Sequence, residues 1–190
     1  MEPTPRPKSP GRTGNMCIRL DVKAYAPCVR HAPLGVPCEC ADRVLVGHET
    51  KEDDLATKQF AQFVMALMLN STQTITDTTN TGRSIANATA VTTPTILAGT
   101  SGTAATVLDY ALGAQTETAS GTVNSYSGSG SSGSFTVTGT ITAGADRAYQ
   151  EVGLRVTSGG NTFLVCRDTF STLNVSSSGT LAVTYTLTFS

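Results

Sequence analysis

Tryptophan is absent from this chain of 190 residues, and phenylalanine and tyrosine are few, so that aromatic residues make up only 6% of it. Pockets that bind organic ligands are lined mainly by apolar and aromatic side chains. The shortage of aromatic residues therefore argues against a glycan-binding module. It argues equally against an enzyme that cleaves polysaccharides in an aromatic cleft.

Charge is scarce as well, since Asp, Glu, Lys and Arg make up 14% of the residues and the net charge is −1. A nucleic-acid-binding domain normally carries a basic surface, which this balance does not supply. No apolar run approaches the length of a membrane span. The basic N-terminus is not followed by the apolar stretch of a secretory signal. We expect no nucleic-acid partner, no membrane partner, and synthesis in the cytoplasm.

The charges and prolines that are present cluster at one end. Residues 1–60 hold 17 of the 27 charged residues, and seven of the eight prolines lie before residue 38. Residues 71–190 instead contain 44 serines and threonines. This contrast predicts three parts: an extended arm with Pro and Cys over 1–48, an amphipathic helix within 49–70, and a β domain over 71–190.

The arm is predicted to be extended because proline fixes φ and removes hydrogen-bond donors. Its apolar residues are too few for a core of their own, so we expect another chain to hold it. Within it, CIRLDVKAY (17–25) alternates roughly and is compatible with an edge strand. The candidate contact residues of the arm are its basic side chains Arg6, Lys8 and Arg12.

A helix is predicted over residues 50–69, TKEDDLATKQFAQFVMALML. Thr50 is a suitable N-cap with Asp53 three residues later, and acidic residues near a helix start favour its dipole. Apolar residues recur at three- and four-residue spacing and form one stripe. The stripe predicts contacts with the core or with other subunits, through Phe60, Phe63 and Met68.

From residue 71 onward, Thr, Val, Ile, Phe and Tyr alternate between clusters of Gly, Ser and Asn, a pattern typical of short strands joined by turns. The predicted fold class is mainly β, with an antiparallel β-sandwich or jelly-roll-like domain at the C-terminus. The predicted strands lie near 74–77, 94–98, 115–123, 133–142, 149–157, 161–168 and 181–189.

Four possible metal ligands lie within thirteen residues of the arm, CVRHAPLGVPCEC. Cys28, His31, Cys38 and Cys40 are ligand types that zinc prefers, and a structural zinc would hold a small irregular region together. The Cys-x-Cys pair departs from the usual spacing of zinc ribbons. Disulfides and free packed thiols remain alternatives.

Charged residues reappear in EVGLRVTSGGNTFLVCRDTF, residues 151–170. Two carboxylates suggest a glycosidase, but both histidines lie in the N-terminal region and no nucleophile–base pair is evident. If the segment is a hairpin around 158–161, then Glu151 and Arg167 lie on its two strands at nearly the same level and pair structurally. Arg155 and Asp168 are candidates for a contact between subunits.

Several short motifs here resemble a module of tailed-bacteriophage structural proteins. These are the Gly-Thr-x-Gly segment at 99–102, D-x-x-L at 109–112, E-x-G-L at 151–154, L-x-x-R-x-x-F at 164–170, and the alternating strand LAVTYTLTF at 181–189. Together they span about residues 94–190. The resemblance implies a virion component, without specifying its position in the particle.

The resemblance and the arm together favour a non-enzymatic capsid decoration (cement) protein on the outer surface of the phage head. Its expected partners are the major capsid protein and further copies of itself, as a homotrimer or homodimer. The alternative is a tail baseplate or fibre-attachment protein whose β domain contacts a fibre or a host receptor.

Overall fold

The computed structural model describes residues 16–26, 45–51, 56–68, 71–86, 94–129 and 132–189. These residues form antiparallel sheets and one helix, which confirms the predicted mainly β fold. No helix among them is long and apolar enough to cross a membrane. In chain order, the elements are β1 Met16–Tyr25, β2 Leu45–Lys51, α1 Lys58–Met68, β3 Gln73–Thr76, β4 Gly82–Ile85, β5 Thr95–Gly99, β6 Gln115–Ser120, β7 Thr122–Val123, β8 Ser127–Ser129, β9 Ser132–Thr142, β10 Arg147–Ser158, β11 Asn161–Val175 and β12 Thr180–Phe189.

The larger sheet has six strands in the order β2-β1-β12-β9-β7, and β8 also pairs with β9. Side chains alternate between the two faces of a strand, so a period of two in the sequence separates core from surface. In β12 the buried residues are Leu181, Val183, Tyr185 and Leu187, while the threonines between them lie on the other face.

The smaller sheet has four strands in the order β11-β10-β5-β6. Its inner face joins that of the larger sheet in one hydrophobic core, to which Ile96, Val152 and Phe163 contribute. Strand β5 is buried on both faces, since Leu97 is as inaccessible as its neighbours Ile96 and Ala98. A second layer must therefore cover the outer face of this sheet.

Part of the predicted arm belongs to the core. Residues 16–25 form β1, which lies between β2 and β12 and pairs antiparallel with both. The expectation of an edge strand was therefore wrong. Ile18, Leu20 and Val22 are buried against the smaller sheet, and this burial explains the alternation of the sequence. Residues 1–15 and 27–44 lie outside the described part of the chain.

The helix starts later than predicted. Thr50 and Lys51 belong to β2, opposite Asp21 and Leu20 of β1, so Thr50 is not an N-cap. The carbonyl of Thr57 accepts the first helical bonds instead, from the amides of Phe60 and Ala61. Strand pairing with β1 prevails over the local helix signals. The prediction missed this pairing because hydrogen bonds to a neighbouring strand leave no pattern in the local spacing of residues. Asp53 lies outside the described residues.

Two residues of the apolar stripe of α1, Phe60 and Phe63, pack against the core of their own chain. Phe63 is 7% exposed, and its ring meets that of Phe163 edge-to-face with centroids 5.1 Å apart. Phe60 is partly buried against the same core. Phe63 is therefore a core residue rather than an interaction residue. The side chain of Met68 is not among those described.

The predicted strand at 115–123 is two strands in different sheets. β6 pairs with β5, whereas β7 pairs with β9. The chain crosses between the sheets at Gly121, whose amide donates to the carbonyl of Pro94 at 2.7 Å. A Cβ on Gly121 would lie 3.1 Å from that carbonyl oxygen. This glycine therefore permits the close approach.

The burial of β1 predicts that Leu20→Ala destabilises the whole fold. Leu20 is 1% exposed, and truncating a buried leucine leaves a cavity that costs about 2–5 kcal/mol. Lys23→Ala on the same strand removes an exposed ion pair with Asp21 and should cost less than about 1 kcal/mol. Chemical denaturation measures both free energies of unfolding. Equal, small losses would show that β1 is not part of the cooperative core.

Candidate functional site

Residues 100–114 connect β5 to β6 and cover the outer face of the smaller sheet. The two ends of this connection meet, because the amide of Thr100 donates to the carbonyl of Ala114 at 3.0 Å. A compact surface loop whose ends lie together is an Ω-loop. We call residues 100–114 the covering loop.

The underside of the covering loop is apolar at one point. Leu112 packs on Leu97 and Leu164, and the three form a cluster separate from the main core. Gly153 lies beneath them, where a Cβ would come within 2.9 Å of both Leu112 Cδ2 and Leu164 Cδ1. The absence of a side chain at Gly153 therefore lets the loop approach the sheet.

The carboxylate of Glu151 holds both ends of the covering loop. Glu151 is fully buried, and it accepts hydrogen bonds from the amides of Gly113 at 3.0 Å, Ala114 at 2.7 Å and Ser101 at 3.4 Å. Gly99 makes room for this group, since a Cβ there would collide with Glu151 Oε1. The three amides thus supply hydrogen-bond partners to a carboxylate that is buried away from water.

Arg167 connects this carboxylate to the middle of the loop. Its side chain is 4% exposed, and Nε donates to Glu151 Oε2 at 2.9 Å. Nη1 donates to Asp109 Oδ2 at 2.6 Å, and Nη2 donates to the carbonyl of Thr103 at 3.0 Å. The planar guanidinium suits this use, because it directs several N–H donors in fixed directions. We call Glu151, Arg167 and Asp109 the clamp.

Asp109 folds the tip of the covering loop. Its carboxylate accepts bonds from the amide of Thr106 at 2.8 Å and from the Thr106 hydroxyl at 2.9 Å. Burial raises the pKa of Asp109, but the hydrogen bonds from Thr106 and Arg167 outweigh burial and leave the pKa below its ordinary value. Burial lowers the pKa of Arg167, but the carboxylates of Asp109 and Glu151 outweigh burial and leave the pKa above its ordinary value.

The structure brings Glu151 and Arg167 together, diagonally across β10 and β11. Glu151 faces Thr169 in the register, and Arg167 faces Gly153, so both lie on the outer face. Asp109, which completes the clamp, is not among the site residues predicted from the sequence. The D-x-x-L motif begins with Asp109, but the contact of Asp109 with Arg167, 58 positions along the chain, leaves no pattern in the local sequence.

Arg155 and Asp168 do not join the clamp or each other. Asp168 Oδ1 accepts bonds from Lys51 Nζ at 3.0 Å and from the amide of Thr169 at 2.7 Å. Arg155 lies opposite Leu164, several positions along the hairpin from Asp168. Asp168 is only 6% exposed, which leaves little of it for a neighbouring subunit.

A second polar cluster joins β6 to β10. Glu117 accepts bonds from Arg147 Nε at 2.7 Å and from the Tyr149 hydroxyl at 2.9 Å. Burial raises the pKa of Glu117, but the bonds from Thr116, Arg147 and Tyr149 lower it below its ordinary value. Tyr149 is fully buried, so its pKa is raised by burial and by the Glu117 carboxylate. This cluster, like the clamp, fixes strands.

The chemistry of the clamp is the positioning of a loop. Each carboxylate already accepts bonds from a guanidinium and from backbone amides, and no histidine or cysteine takes part in these bonds. No group of three or more potential metal ligands occurs in the described ranges. The proposed zinc ligands Cys28, His31, Cys38 and Cys40 lie outside those ranges, as do Arg6, Lys8 and Arg12.

No protein-family model, no curated protein and no solved structure matches this chain. Its function is therefore inferred from its own residues and their geometry.

Removing the guanidinium should destabilise the protein strongly. Arg167→Met leaves Glu151 buried without its counter-charge, and breaking a buried ion pair costs about 3–5 kcal/mol. The matched control Lys23→Met breaks an exposed pair and should cost less than about 1 kcal/mol. Denaturant titration gives both values. A loss for Arg167→Met no larger than the control's would show that the clamp does not hold the fold.

The clamp should also give the protein an acid-sensitive component of stability. The folded-state pKa of Asp109 is below its unfolded value of about 3.9, so its contribution is complete above about pH 5 and is lost as the pH falls through the folded value. Between pH 5 and 2.5, Asp109→Asn should lose less unfolding free energy than the wild type. Identical pH profiles would contradict the assigned role of Asp109.

Proposed function

We propose that this chain is a non-enzymatic structural protein of a tailed-bacteriophage virion, where it decorates the head and stabilises the lattice of the major capsid protein. One observation carries the proposal. Four of the five short motifs that resemble the phage structural module, although far apart in the sequence, meet in one place around the covering loop, whereas the fifth, LAVTYTLTF, forms β12 of the larger sheet.

Three of these motifs contribute side chains to that arrangement, and the Gly-Thr-x-Gly segment contributes Gly99 and the amide of Ser101. Asp109 and Leu112 come from D-x-x-L and supply the carboxylate and the apolar anchor of the loop. Glu151 comes from E-x-G-L and holds the loop ends. Arg167, from L-x-x-R-x-x-F, joins them. The motifs are thus the parts of one structural device, which supports a resemblance to a module rather than a chance similarity of short strings.

The use of charge supports a structural role. The buried acids Glu151 and Asp168, and the buried base Arg167, make bonds within the chain. A protein that reinforces a particle needs a rigid shape more than a reactive group. We propose that the predicted arm, through those of its residues that lie outside the larger sheet, contacts neighbouring capsid subunits. The protein would act as a homotrimer or homodimer at a symmetry axis of the head.

The number of copies per particle tests this function. Virions purified from the host that carries this sequence are digested, and peptides of this chain are quantified by mass spectrometry against the major capsid protein. A ratio near one, or near a simple fraction of one, is expected, because only the head offers hundreds of equivalent sites. A few to a few dozen copies would place the protein in the tail as a baseplate or fibre-attachment component. Absence from the virion would refute the proposal.

A further inference from the structure

We infer that Arg155, on the outer face of the smaller sheet, binds a carboxylate on a neighbouring protein subunit of the particle. This inference rests on the proposed virion function and names one contact that the function requires.

Arg155 lies on the same face of the sheet as the clamp. It is opposite Thr95 of β5 and Leu164 of β11, and Leu164 belongs to the apolar cluster under the covering loop. The preceding residue, Leu154, is part of the main core, so the alternation along β10 directs Arg155 outward. Arg155 is partly exposed, and a partner can therefore approach its guanidinium from the solvent.

The two arginines of this face differ in their partners. The guanidinium of Arg167 donates to two carboxylates and a carbonyl. Arg155 forms no hydrogen bond or ion pair with any residue of the described ranges, and its Nε is buried without a partner. The residues that face it across β5 and β11 are uncharged, as are Gly153 and Thr157 on either side of it along β10. The structure thus places an unpaired positive charge at this position.

An unpaired buried donor is unfavourable for the fold itself. Burial removes water from the Nε of Arg155 without supplying another acceptor, which costs free energy. Buried polar groups of native proteins nearly always have partners, and an exception calls for an explanation. Contact with another molecule supplies one, because residues that serve function are often not the best ones for stability.

Charge favours a carboxylate as the ligand. A guanidinium carries one positive charge and matches a carboxylate in both charge and geometry. Two carboxylates share Arg167, so the neighbouring clamp carries one excess negative charge. This excess disfavours a multiply charged anion, and a nucleic-acid backbone would need several basic groups rather than one.

The acidic side chains of a second copy are mostly in use. Within the described part of the chain, only Glu49 and Asp146 among the acidic residues do not contact a basic side chain of their own chain. Those that do are Asp21, Asp77, Asp109, Glu117, Glu151 and Asp168. A different protein therefore supplies the carboxylate.

The test uses particles made without this protein and the purified full chain, with binding measured by co-sedimentation. Arg155→Met keeps the apolar stem and removes the charge, and it should weaken binding about tenfold or more. Its melting temperature should equal or exceed that of the wild type, because the variant no longer buries an unpaired donor. Lys23→Met removes an equal charge from an exposed ion pair on the larger sheet, and this matched control should bind as the wild type does.

Chemical modification of the particles tests the carboxylate. A carbodiimide and a neutral amine convert the surface carboxylates of the particle to amides. This treatment should weaken the binding of the wild type much more than that of Arg155→Met, because the variant has already lost the interaction. Equal losses for the two proteins would overturn the carboxylate as the ligand.

Four further results separate the inference from the function. If Arg155→Met binds within about twofold of the wild type, Arg155 is not a contact, while the virion function stands. If Arg155→Met lowers the melting temperature by several degrees, Arg155 is bonded within its own chain and the inference is overturned. If the wild type forms an oligomer that Arg155→Met dissociates, the carboxylate belongs to a second copy and the inference is again overturned. If the wild type does not bind particles at all, the virion function fails, and the inference that rests on it fails as well.

Discussion

The guanidinium of Arg167 is the group on which the smaller sheet and its covering loop depend. It donates to Glu151 on β10 and, at two points of the covering loop, to Asp109 and to the carbonyl of Thr103. Burying a charged group is costly unless its partners are well placed. Here β10 places Glu151, and the covering loop places Asp109 and Thr103, so the guanidinium has all of its partners only when the loop lies on the sheet.

The clamp explains why the two sheets differ. The larger sheet has threonines on the outer faces of β9 and β12, as expected when one face meets solvent. The smaller sheet has apolar residues on both faces, because the covering loop shields its outer side. Two glycines make this shielding possible. Gly99 leaves space for the Glu151 carboxylate, and Gly153 leaves space for the leucines above it.

A loop held in this way keeps a fixed shape, because it is bonded to the sheet at its ends and at its middle. Such rigidity is compatible with the proposed structural role in a virion. The Glu117–Arg147–Tyr149 cluster also fixes strands, because its hydrogen bonds link β6 to β10. The charged residues of the clamp and of the Glu117 cluster therefore hold the strands and the covering loop in position.

The sequence alone determined the β class, most of the strands of the C-terminal region and the pairing of Glu151 with Arg167. These properties follow from alternation along a strand and from the register of one hairpin, both of which are local. The tertiary structure decided that β1 lies inside a sheet, that the helix begins at Lys58 rather than at Thr50, and that β6 and β7 belong to different sheets. It also brought Asp109 to Arg167. These outcomes depend on hydrogen bonds between segments that lie far apart in the chain. Such a bond forms only where the fold brings the partner close in space. The local spacing of residues does not encode that position.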